Sequence, residues 1–208
     1  MWCSKEMDVQ FEELYASDPK DDCVAWRLAY GPRPRHHFAD VLDAACAHEV
    51  PALCAFHNRR CRRSATQEDI FIAGFPCQPS SGMRTGRWTA GSPANHQLAQ
   101  VADRVIEALH VSRPRCAVLE NVLAMGFASR QGGESDELSK FVAKIVDRGV
   151  FFVLPVKITL SAWCRAERER LYILIVRRDV GDADCLERAA NIARPGISVV
   201  AYALLELL

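Results

Sequence analysis

The chain is 208 residues long, half of them apolar, and its 26 Lys and Arg balance its 26 Asp and Glu at zero net charge. This composition excludes an intrinsically disordered chain, and the length suits one domain whose single core needs no disulfide staples. Neutrality removes any global electrostatic case for a nucleic-acid partner, although 21 of the basic residues are Arg and many cluster, at Arg33 and Arg35, Arg59, Arg60, Arg62 and Arg63, Arg168 and Arg170, and Arg177 and Arg178.

Short apolar runs alternate with longer segments of helical period, the pattern of an α/β fold with a mostly parallel sheet and helices on its faces. In chain order, strands are predicted over 13–17, 37–41, Ile70–Gly74, 116–120, 151–158 and 171–176. The runs IFIAG, CAVLE and LYILIV are continuously apolar, as strands buried on both faces are. Helices are predicted over 19–29, behind a capping Asp18, over 96–110, behind Asn95, and over 135–148, where Leu138, Phe141, Val142 and Ile145 form one stripe. Residues 80–95, SSGMRTGRWTAGSPAN, form a long loop rich in Gly, Ser and Thr, of the kind that often acts as a lid.

Nine cysteines, an odd number with no C-x-x-C pair, and a start, MWCSKEMDVQ, without a signal peptide's apolar segment predict a reducing, intracellular setting. That means the nucleus in a eukaryote and the cytoplasm in a bacterium. The longest apolar stretch, ISVVAYALLELL over 197–208, is interrupted by Glu206 and too short to span a bilayer, so no membrane partner is expected.

The most informative segment is DIFIAGFPCQPSS, in which a buried strand delivers Phe75, Pro76, Cys77 and Gln78 at its C-terminal end, where open α/β sheets place their ligands. A Cys in that position is placed to be a nucleophile. The segment resembles the catalytic P-C-Q motif of the cytosine-5 DNA methyltransferase family. Downstream, CAVLENV resembles the family's E-N-V motif, ending in Glu120, Asn121 and Val122, and Arg168-Glu169-Arg170 resembles its Arg-x-Arg motif before a strand. Upstream, Asp18, just after a predicted strand in Leu14-Tyr-Ala-Ser-Asp18, resembles the acid that contacts the ribose of S-adenosylmethionine, and Asp40 in Phe38-Ala-Asp40 resembles the acid near its adenine.

The resemblance implies a Rossmann-like, S-adenosylmethionine-dependent methyltransferase fold and a single, partial catalytic domain over 1–208. A target-recognition region is expected to be absent, and a partner chain to supply it. It further implies Cys77, Glu120 and Arg168 as catalytic residues. Cofactor contacts are implied at Asp18, Asp40, Phe75, Pro76 and Asn121, and substrate contacts at Gln78, Ser80 and Arg170. The implied reaction is methyl transfer to C5 of a cytosine flipped out of DNA, through a covalent Cys77 adduct. RNA as the substrate, or an inactive nucleic-acid-binding fragment, stays open. The Phe-x-Gly-x-Gly turn with which the family opens does not occur in MWCSKEMDVQFEEL.

One side constellation remains. Cys54, His57 and Cys61 fall at i, i+3 and i+7, on one face if 50–63 were helical, with His48 nearby. Buried cysteines beside a surface histidine are the expectation, and no metal site is predicted.

Overall fold

The computed structural model describes residues 12–30, 33–64, 67–75, 99–126, 137–159 and 169–193. They fall into two compact units: Met1–Gln67 with Glu107–Ser112, and Glu68–Ile106 with Arg113–Leu208.

In the first unit, β1 (Tyr15–Ser17) leads through α1 (Asp21–Tyr30) to β2 (His36–Phe38), which pairs parallel to β1 with Ser17 opposite Phe38. A short helix, α2 (Val41–Cys46), starts at Asp40, whose extended backbone and carboxylate cap the N–H groups of Leu42 and Asp43. The chain then makes a tight hairpin of β3 (Ala52–Cys54) and β4 (Arg59–Cys61), giving the sheet order β1-β2-β3-β4. Phe38, Ala44, Ala47, Ala52, Cys54 and Cys61 form the core, with Tyr15 and Phe56 packed on it. Its small residues let α2 lie close to the sheet.

In the second unit the order is β5-β6-β8-β7. β5 (Ile70–Gly74) is parallel to β6 (Cys116–Val122), the two being linked through a segment that includes α3 (Ala99–Ser112). α4 (Glu137–Val146) ends at Gly149, whose φ of 66° is the left-handed turn that glycine adopts without cost. β7 (Phe151–Thr159) and β8 (Glu169–Arg177) are antiparallel, and β8 is antiparallel to β6. α5 (Ala183–Ala193) lays Leu186, Ala189 and Ala190 on the face formed by Cys116, Val118, Ile158, Tyr172, Leu174 and Val176. The alternate residues Ala117, Leu119, Ile173 and Ile175 point to the opposite face and are fully buried as well. Burial on both faces explains why β6 and β8 are almost continuously apolar.

The α/β class expected from the sequence holds. Strand direction is more mixed than a mostly parallel sheet, because among the described residues only β1–β2 and β5–β6 run parallel. The connection from Thr159 to Glu169 is too short for the crossover that a parallel pair requires, so β7 and β8 reverse. The segment 50–63, whose Cys/His spacing suggested one face of a helix, is the β3–β4 hairpin. Among the described residues, no helix is long and apolar enough to cross a membrane.

Candidate active site

Parallel pairing of β5 with β6, and antiparallel pairing of β6 with β8, puts the last residues of β5 and β6 and the first of β8 on one edge of the second sheet. Gly74 stands opposite Glu120, and Val122 opposite Arg170. Of the residues assigned to the site from sequence, Phe75, Glu120, Asn121 and Arg170 are on this edge. Pro76, Cys77, Gln78, Ser80 and Arg168 lie outside the described residues, as does the 80–95 loop.

Glu120 and Arg170 are diagonal neighbours across β6 and β8, and the Arg170 Nε donates to Glu120 Oε1 at 2.8 Å. Arg170 also donates to the carbonyl of Glu169. The other carboxylate oxygen of Glu120 lies over Gly74, where an added Cβ would stand 3.3 Å from Oε2. Glu120 is thus fixed by a cation on one side and set against bare backbone on the other, next to the strand end that leads into the P-C-Q segment. Asn121 is buried, and its Oδ1 accepts from the Val122 N–H at 2.7 Å. Phe75 is buried with its ring stacked on Phe141 of α4, centroids 5.0 Å apart.

Asp18 and Asp40 lie in the first unit, each just past the C-terminal end of a strand of the parallel β1–β2 pair. Asp18 accepts from the Lys20 N–H at 2.9 Å. It also accepts a hydrogen bond from the Cys23 thiol, which raises that thiol's pKa above its ordinary value because ionisation would break the bond. The sequence placed a helix directly behind Asp18, whereas α1 begins at Asp21 and Asp18 closes the turn before it. Asp40 commits Oδ1 to the α2 N-terminus, at 2.8 Å from the Leu42 N–H. A carboxylate at a parallel strand end has the acceptor chemistry a ribose diol needs, and both Asp18 and Asp40 present one while already accepting local hydrogen bonds.

The Arg59–Arg63 cluster divides by burial. Arg59, Arg60 and Arg62 are exposed, but Arg63 is buried and donates from Nε and Nη2 to the carbonyls of Ala44 and Ala45. A solvated face, the default expectation for such a cluster, therefore does not describe Arg63. Cys54, His57 and Cys61 do converge, and the fourth member of the group is His36 of β2. His48, the neighbour suggested by sequence, instead places its Nδ1 2.9 Å from the Ala45 carbonyl. His36 was missed because only the β2–β3 pairing brings it near.

No family model matches the sequence, and no curated protein does. Among solved structures, the Dnmt2 methyltransferase of S. pombe superposes with a TM-score of 0.51 at 13% identity, over 95% of this chain and 52% of that one. A Spodoptera frugiperda DNMT2 mutant gives a TM-score of 0.47 at 14% identity, over 87% of this chain and 47% of that one. The chain thus spans about half the length of the solved structures it matches. Its fold is a cytosine-5-methyltransferase-like fold.

Proposed function

We propose that the chain is the catalytic core of an S-adenosylmethionine-dependent cytosine-5 methyltransferase acting on DNA, with Cys77 as nucleophile. The observation that carries this reading is the placement of Glu120. Arg170 holds it against Gly74 at the edge from which the P-C-Q segment leaves β5.

C5 of cytosine is too weak a nucleophile to take a methyl group unaided. Addition of the Cys77 thiolate to C6 forms a C–S bond and pushes an electron pair towards C5, while Glu120 supplies a proton at N3 to absorb the charge. S-adenosylmethionine, when bound, supplies an electrophilic methyl group. Solvent water then takes the C5 proton, the returning pair breaks the C–S bond and expels the Cys77 thiolate, and the N3 proton goes back to Glu120. Arg168 offsets negative charge on the base, and Asn121 stiffens the strand end through its bond to Val122. Asp18 would hold the cofactor's ribose through its carboxylate. The target atoms are hidden in a duplex, so the base must leave the stack.

The test is covalent trapping on duplex oligonucleotides containing 5-fluorocytosine, with and without S-adenosylmethionine. Fluorine at C5 blocks the final elimination, so a working enzyme stays attached. The expected result is a cofactor-dependent adduct on DNA that disappears in Cys77→Ala. An adduct on RNA alone would overturn the choice of substrate. No adduct on either, from folded protein, would overturn the activity.

A further inference from the structure

Four side chains of the first unit converge on one point: His36 on β2, Cys54 at the end of β3, His57 in the hairpin turn and Cys61 at the end of β4. One potential ligand atom from each lies within 4.8 Å of all the others. His57 Nδ1 is 3.2 Å from Cys54 Sγ and 3.4 Å from Cys61 Sγ. In a tetrahedral zinc site, with Zn–S of about 2.3 Å and Zn–N of about 2.05 Å, a sulfur and a nitrogen ligand stand roughly 3.5 Å apart. The two separations are close to that without any ion imposing it.

We propose that His36, Cys54, His57 and Cys61 form a structural zinc site. This assignment is independent of the transferase reading. The donor set, two sulfurs and two nitrogens, is the soft tetrahedral set that selects zinc over the oxygen-loving divalent ions. The ligand spacing within the hairpin, Cys-x2-His-x3-Cys, is short enough for one turn to supply three of the four ligands.

Burial and hydrogen bonding agree with it. Cys54 is fully buried and Cys61 nearly so, and the backbone N–H of His37 points at Cys54 Sγ from 3.5 Å, the outer contact that a metal-bound thiolate accepts. Nδ1 of His36 is buried with no hydrogen-bond partner, a deficit that ligation through that nitrogen would remove. The rings of His36 and His57 meet edge to face at 5.3 Å rather than stacking, so both can turn a nitrogen to a common centre.

On binding, two thiols release their protons to solvent and two neutral imidazoles add lone pairs, so the dication and two thiolates sum to zero charge in a largely buried place. Four protein ligands leave no open position for water, which makes the site structural rather than catalytic. There is also a mechanical need for it. β2, β3 and β4 are three residues each, and β2 meets β3 through the single pair Phe38 and Cys54. Strands that short hold a sheet weakly, and an ion bridging β2 to both ends of the hairpin would fasten it.

The experiment is metal analysis of the full chain, purified without chelator, alongside cobalt(II) titration of metal-stripped protein and a count of free thiols after denaturation. The expected result is about one zinc per chain, a cobalt spectrum with tetrahedral bands and thiolate charge transfer, and loss of both in the double variant Cys54→Ala, Cys61→Ala. His57→Ala removes an exposed ligand and leaves the core intact. It should weaken zinc retention at least tenfold in a chelator competition while the chain stays folded. Folded wild type that neither carries zinc nor gives the cobalt spectrum would overturn the site. So would a deficit of two thiols from a Cys54–Cys61 disulfide, or retention by His57→Ala equal to wild type.

Discussion

The Arg170 guanidinium reaches diagonally across two antiparallel strands to place Nε 2.8 Å from Glu120 Oε1. Both side chains are partly exposed, at 20% and 37%, so solvent screens the pair and it stabilises the fold by less than about 1 kcal/mol. Its consequence is positional. The pair biases the carboxylate towards the edge at which β5 ends, without locking it there.

Arg170→Ala should leave the melting temperature nearly unchanged and slow methyl transfer, with loss of orientation worth about 100-fold. Glu120→Gln removes the proton source itself and should cost about 10²- to 10⁴-fold. If Arg170 acts through Glu120, the double variant will be no slower than Glu120→Gln alone. Single-turnover rates on all four proteins decide it, and additive losses would assign Arg170 a separate contact with the substrate.

Gly74→Ala separates stability from activity. The new Cβ would meet Glu120 Oε2 at 3.3 Å, a contact the flexible carboxylate relieves by moving a few tenths of an ångström. Alanine loses less conformational freedom on folding than glycine, so stability should hold or rise by up to about 1 kcal/mol. The displaced carboxylate should nevertheless slow transfer by about tenfold or more. Thermal melts and trapping rates measured on the same preparation check the two halves independently.

Apolar runs made the strands legible. The strand Ile70–Gly74 matches its predicted bounds, and those at 116–120, 151–158 and 171–176 fall within observed strands. For β6 and β8 the run reflects burial on both faces, whereas β5 departs from that expectation, with Ile72 68% exposed. The β3–β4 hairpin was not legible. Its strands are three residues long, its turn, Ala55 to Asn58, lacks the Asn-Gly signature, and Asn58 takes a positive φ of 48° without glycine. Its cysteines and His57 fall by chance at helical intervals. α2 was masked by the strand predicted through residue 41, although Asp40 is an N-cap. At the candidate site, Glu120 was legible from its motif. Its bond to Arg170 and its approach to Gly74 depend on strand register, which the sequence does not state.

Arg63 illustrates a charge that composition misreads. The residue is 7% exposed and donates to the Ala44 and Ala45 carbonyls near the end of α2, where the helix itself supplies only the long Ala47 N–H bond to Ala44. Arg63→Ala would remove the charge-assisted bonds but leave the Ala44 carbonyl its Ala47 N–H and the Ala45 carbonyl its His48 Nδ1 neighbour, and should destabilise the first unit by about 1–2 kcal/mol. Arg63→Lys should recover little, since one ammonium cannot reproduce a fork that bonds two carbonyls. Hydrogen exchange across 36–61 should speed up in both variants while the second sheet keeps its protection. Unchanged exchange in Arg63→Ala would show that the carbonyls find other donors.

Cys116 sits at the start of β6, fully buried between Asp69 and the core that α5 covers, and burial pushes its thiol up to about 12 from an ordinary value of 9.0. Two consequences follow from the raised value. In the folded chain at pH 8 the thiolate is essentially absent, so alkylation of Cys116 should proceed only through unfolding, at the same rate as global opening. The folded state also keeps a proton that the unfolded state has lost. The stability owed to the neutral thiol is therefore fully present below about pH 9 and falls by about 1.4 kcal/mol per unit as pH rises towards 12. Other groups titrate in that window, so the informative quantity is the difference between wild type and Cys116→Ala in urea melts from pH 8 to pH 11. The wild type should lose stability faster with pH than the variant, and parallel pH profiles would mean that solvent reaches this thiol in the native sheet.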